Sequence, residues 1–218
     1  MTARVVRILP VLGLVLCAAA GAEDASWPDT DVDAAAGINE GTLVFLTAAP
    51  ERRILQTRNR LIIGTKSLSS GWVMLEQCQA NLDPVAEIEI EYRYHGLRRL
   101  RVLSATAMES ARVEGNSVQL TGVERGGEVC IAAEVQVLRV DGAGGYRLQS
   151  GPFHRRFLDG YYPLQLDYRV EWPDTRLALV SISPPAQAGF TVHAQPGVLH
   201  IETLFEGMLT IELQFGSR

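Results

Sequence analysis

The chain has 218 residues, with 20 Lys and Arg against 25 Asp and Glu, for a formal net charge of −5. That sign disfavours a general polyanion binder, so a nucleic-acid partner is not expected. Three cysteines and no C-x-x-C leave little for a thiolate metal cluster or a redox motif.

The chain opens with a leader signature. Arg4 and Arg7 precede an apolar run from Ile8 to Ala20, and Ala20-Gly21-Ala22 then precedes Glu23-Asp24. A basic start, a short apolar core and small residues at a cleavage point read as a secretory signal peptide over residues 1–22. The run is short for a bilayer span, which needs roughly 20 residues. Cys17 follows Leu16, which fits lipid attachment poorly. Removing residues 1–22 takes the basic count from 20 to 18 against 25 acids, a net charge of −7. No later stretch is apolar enough to span a membrane, so a periplasmic location is expected.

Residues 23–41 are acidic and rich in small residues, and read as a flexible lead-in. Within them Asp29, Asp31, Asp33 and Glu40 fall at positions 1, 3, 5 and 12 of a calcium-loop spacing. Position 6 is Ala34 where glycine is required, and Pro28 stands where a flanking helix should end. A disordered spacer accounts for the same residues.

From there almost every segment alternates with period two, the mark of half-buried strands. Strands are expected at 42–47, 60–65, 72–78, 111–114, 117–121, 128–140 and 145–149. A second block follows at 163–172, 176–183, 189–195, 198–205 and 208–215. "EIEIEYRYH" puts Ile88, Ile90, Tyr92 and Tyr94 on one face and Glu87, Glu89, Glu91 and Arg93 on the other. A hairpin at Tyr94-His95-Gly96 would set Glu91 against Arg99 and Glu89 against Arg101, with Ile90 facing Leu100 and Ile88 facing Val102. The run Arg98-Arg99-Leu100-Arg101 then reads as the solvated partner of an acidic strand rather than an anion patch. "ATAMESA" carries at most one helical turn.

The fold class is therefore all-β, in antiparallel strands at sandwich-like spacing. The division expected is a lobe over 42–150, a connector at 151–162 and a second lobe over 163–218, both immunoglobulin-like. One large sandwich is the alternative. Cys78 and Cys130 fall in the first lobe and are expected to form a disulfide.

Two further groups are candidate sites. His193 and His200 flank Pro196-Gly197, and a two-residue loop places them directly opposite each other, with Glu202 two residues on along the same face. Glu212 or Thr210 of the next strand would lie nearby. Imidazoles and carboxylates on adjacent strands make a zinc-type ligand set; an ordinary polar face explains them equally. The connector "GPFHRRFLDGYYPL" gathers His154, Arg155, Arg156, Asp159, Tyr161 and Tyr162. Aromatic rings beside Asp and Arg suit a glycan or peptide site, since sites favour interfaces between lobes. The plainer reading is a hinge sealed by Phe153, Phe157 and the tyrosines. A catalytic signature is missing: there is no G-x-S-x-G, no phosphate loop and no H-E-x-x-H. The expectation is a non-enzymatic exported envelope protein without a cofactor, binding a protein partner or a cell-envelope glycan. A metal-binding protein, with zinc or calcium, or a hydrolase using one of these groups is the alternative.

Overall fold

The computed structural model describes residues 39–48, 53–142, 144–173 and 176–217. The leader 1–22 with Cys17, and most of the acidic lead-in with Asp29, Asp31 and Asp33, lie outside the described residues. Among those described, no helix is long and apolar enough to cross a membrane.

Seventeen strands are formed among the described residues. They are β1 Val44–Phe45, β2 Leu55–Ile62, β3 Trp72–Leu82, β4 Glu87–Glu91, β5 Leu97–Thr106, β6 Ser110–Glu114 and β7 Ser117–Thr121, then β8 Gly127–Gln136, β9 Leu138–Val140 and β10 Tyr146–Phe153. After these come β11 Arg155–Phe157, β12 Gly160–Tyr162, β13 Leu164–Glu171, β14 Leu177–Ser183, β15 Phe190–Gln195, β16 Val198–Glu206 and β17 Leu209–Ser217. A single helical turn, α1 Ser67–Ser70, joins β2 to β3. The fold is an all-β sandwich.

The largest sheet runs β1-β16-β13-β2-β3-β8-β5, with β15 also on β16. A second runs β14-β17-β10-β9, a third β4-β7-β6, and β11 pairs β12 alone. Period-two burial sends Leu61, Leu75, Ile131, Leu166, Tyr168, Val170, Leu199, Ile201 and Phe205 of the large sheet into the core. Leu148, Ile211, Leu213 and Phe215 come from the second sheet, and Val118 and Leu120 from the third. Aromatic contacts cross between the layers. Trp172 meets Phe215 at 5.0 Å between ring centres, and Phe153 meets Tyr168 at 6.0 Å. The Tyr168 hydroxyl lies 2.7 Å from Ser150 Oγ, and burial pushes its ionisation upward.

The two-lobe division is corrected by the pairing. β13 lies parallel to β2, residue for residue from Leu164↔Leu55 to Glu171↔Ile62. β10, from before the connector, pairs antiparallel with β17, from after it. Strands from either side of the connector therefore share sheets, and Ile38–Arg218 forms one compact unit. The physical reason is that β13 alternates Leu164, Leu166, Tyr168 and Val170 inward, a face that the short C-terminal block alone does not cover. It is covered from the second sheet, where Ser150 and Phe153 of β10, a strand before the connector, meet Tyr168. Every other neighbouring pair is antiparallel.

The hairpin read between β4 and β5 is also corrected. β4 pairs β7, with Ile88 opposite Leu120 and Ile90 opposite Val118. β5 pairs β8. Tyr92 is buried and Tyr94 packs against the core, so the chain dives inward between the strands and changes sheet. The basic run still meets acid, but a different one. Arg98 Nη2 is 2.6 Å from Glu134 Oε2, and Arg99 also bonds Glu134. Those two guanidinium groups hold the Glu134 carboxyl below its ordinary value.

Cys78 and Cys130 are bonded, as expected. They sit directly opposite each other on β3 and β8, half-buried on the face away from the core.

Candidate binding site

The connector is not a loop. β11 and β12 form a small hairpin with Arg155 opposite Tyr162, Arg156 opposite Tyr161 and Phe157 opposite Gly160. Leu158 and Asp159 make the turn, and Gly160 leaves it at φ 144°, a backbone region that suits glycine. Strand alternation then sorts the side chains. Arg155, Phe157 and Tyr162 fall on one face; Arg156 and Tyr161 fall on the other.

The first face is a site. Arg155 reaches back to the stretch between β3 and β4, where its Nη2 donates to Asp83 Oδ1 at 2.8 Å and Oδ2 at 2.7 Å. Its side chain is 12% exposed, against 41% for Asp83. Nε is buried without a protein partner. The guanidinium carbon lies 5.2 Å from the Phe157 ring centre and 5.9 Å from that of Tyr162. These are cation–π distances. Phe157 and Tyr162 meet edge to face at 5.3 Å. The Tyr162 hydroxyl donates to Asp159 Oδ2 at 2.5 Å. Asp83, Arg155, Phe157, Leu158, Asp159 and Tyr162 line an open pocket of about 470 Å³. Leu158 at the tip is fully exposed.

On the second face Tyr161 is half-buried, while His154 and Arg156 are exposed. His154 stacks edge to face on Tyr161 at 5.8 Å, and the Arg156 guanidinium carbon is 5.5 Å from that ring. The Tyr161 amide donates to the Asn39 carbonyl at 2.9 Å. Of the six residues singled out in the sequence, the structure brings Arg155, Asp159 and Tyr162 together. His154, Arg156 and Tyr161 gather around one another instead. Phe153 is half-buried and packs against the core.

Sequence reasoning missed Asp83 and Leu158, and gave Phe157 only a sealing role. Period two counted from Arg155 reaches Phe157, so reading the connector as a hairpin would have found it. No local signal marks Asp83, which is 72 residues from Arg155.

The histidine hairpin forms in the expected register, His193 opposite His200 and Gln195 opposite Val198. Gly197 takes φ 83° after Pro196, as a type II turn requires. The imidazole ring centres are 6.5 Å apart. His200 Nε2 is 2.8 Å from Asp167 Oδ1 on β13, and Asp167 stands opposite Glu202. Glu212 is not a neighbour: it lies on β17 in the second sheet, 3.3 Å from Arg147 Nε. Among the described residues, His193, His200 and Glu202 do not bring three ligand atoms within reach of one ion. The group that does is Cys78, Glu128 and Cys130, whose sulfurs are bonded to each other.

No protein-family model matches the chain, and no curated protein does. Among solved structures, similarity is found to an M1 zinc metallopeptidase from Deinococcus radiodurans with a Tyr-Ser-Ala substrate. The identity is 14% and the TM-score 0.41, over 75% of this chain and 43% of that one. The same peptidase in another crystal structure gives 14% and 0.39 over 82% of this chain and 43% of that one. An acetylcholine-binding protein from Biomphalaria glabrata gives 10% and 0.22, over 79% and 91%. The chain thus spans less than half of the peptidase, and at these scores the likeness carries no argument about activity.

Proposed function

We propose that this chain is an exported, non-enzymatic binding protein of the cell envelope, with the β11–β12 hairpin as its contact surface. Its partner is an envelope protein or an envelope glycan. One observation carries this: an open pocket of about 470 Å³ where a mostly buried Arg155, clamped by Asp83, lies against Phe157 and Tyr162. A pocket of this size is ordinary for ligand sites, and aromatic walls with few placed polar groups are their usual make-up. The lining offers no Ser, Cys or His as nucleophile or base. Its two carboxylates are each engaged, Asp83 by Arg155 and Asp159 by Tyr162, which suits recognition better than proton transfer. The leader-like N-terminus supports export.

The test is a pull-down from envelope extract with the full chain, comparing wild type with Phe157→Ala. Phe157 is 44% exposed, so its truncation spares the core. The expected result is a captured protein or glycan that the variant loses at matched folding. Equal capture by both would move the contact surface away from the hairpin.

A further inference from the structure

We propose that the β11–β12 pocket takes a neutral sugar ring of an envelope glycan; this rests on the binding reading above and narrows its ligand class. Charge decides first. The lining holds two carboxylates, Asp83 and Asp159, and one guanidinium, Arg155. Arg155 is already neutralised by Asp83. An incoming anion meets carboxylate on both sides and no unpaired cation, because Arg156 and His154 gather on Tyr161, on the opposite face of the hairpin. An incoming cation meets aromatic rings that Arg155 already approaches at 5.2 and 5.9 Å, and it gains a like charge beside it. A neutral ligand avoids both conflicts.

Hydrogen-bonding capacity decides next. An ionised carboxylate offers about four acceptor positions. Asp83 spends two on Arg155, and Asp159 spends one on Tyr162. The remainder faces a donor-rich ligand, and Asp83 is exposed enough to be reached. Hydroxyl groups are such donors. The partly exposed Phe157 and fully exposed Leu158 add an apolar surface next to these acceptors. A pyranose ring has the matching division, a C–H face and a hydroxyl rim. A protein partner alone would not need acceptors in excess of donors at this place.

The experiment titrates the full chain with maltose, cellobiose and di-N-acetylchitobiose, and separately with digalacturonate and tetramethylammonium, following aromatic and arginine side-chain NMR signals. The expected result is that at least one neutral disaccharide shifts signals of Arg155, Phe157 and Tyr162. Affinity should fall about tenfold in Phe157→Ala, the loss of one stacking contact, and persist in Phe157→Tyr. His193→Ala, on a separate sheet face, should bind as wild type does. Tighter binding of digalacturonate or tetramethylammonium would overturn the proposal, as would an unchanged affinity in Phe157→Ala. If no disaccharide binds while the pull-down captures a protein through Phe157, the sugar class fails and the binding reading stands. If neither occurs, both fail.

Discussion

Glu171 is gripped from two sides. Arg60 Nη2 lies 3.0 Å from Oε2, and Arg169 Nε lies 2.6 Å from Oε1. The bond from Arg60 is the larger influence, that from Arg169 the next, and together they hold the carboxyl at about 2, below its ordinary 4.5. A carboxyl that titrates lower in the folded chain stabilises it above the unfolded value, and that gain fades as pH falls through the folded one. Glu171 is 18% exposed but Arg60 is 44% exposed, so solvent screens the pair. Glu171→Gln should therefore cost about 1 kcal/mol near neutral pH. It should also flatten the dependence of Tm on pH between about 4.5 and 2. Thermal melts of both proteins across that window check it. The same scale holds a buried amide pair: Gln77 Nε2 donates to Asn59 Oδ1 at 2.9 Å, while Asn59 Nδ2 has no partner. An unmet buried donor costs about 1–3 kcal/mol, so this pair is a weak point in the buried face of the large sheet.

The disulfide belongs to the scale of elements. It joins β3 to β8, strands that are already hydrogen-bonded neighbours along their whole length. The sequence separation of 52 residues corresponds to about 4 kcal/mol of lost freedom in the unfolded chain. The ladder itself does not need the bond. The Cys78→Ala, Cys130→Ala double variant should therefore fold, with a loss of about 2–4 kcal/mol and an unaltered cooperative transition in urea. Strand positions were legible in the sequence because inward residues recur at every second position, as in Leu164, Leu166, Tyr168 and Val170. The His193–His200 register was legible because Pro196-Gly197 fixes the loop length. The partner of Arg98 and Arg99 was not. Glu91 and Glu134 are equally acidic, and only burial of Tyr92 and Tyr94 removes β4 from beside β5. Half of the site was legible as residue types in 154–162. The hairpin was hidden because three-residue strands are too short to show a period, and Asp83 because nothing local anticipates a contact over 72 residues.

At the scale of the whole molecule, shared sheets imply shared stability. β13 and β16 cannot leave the large sheet without uncovering Leu61 and Tyr168, both buried within it. Calorimetry of the full chain should show one transition, with equal calorimetric and van't Hoff enthalpies. A fragment ending at residue 150 should lack cooperative unfolding. Two resolved transitions, or a cooperatively folding fragment, would restore the two-lobe division.

The parallel seam between β2 and β13 also sets a clock. Gln56 and its neighbour Gln165 are 109 residues apart. At ordinary synthesis rates roughly 5–20 s pass between the appearance of the first strand and the second. During that interval the newborn β2 offers an open hydrogen-bonding edge, the kind of edge that recruits stray strands. Arg58 and Arg60 stand on that strand with their side chains exposed. Arg60 meets Glu76 of β3 only 16 residues on, but Arg58 waits for Glu128, 70 residues on, and until then its charge repels an identical copy laid alongside. Arg60 later locks the seam through Glu171, and both arginines guard the edge while it waits.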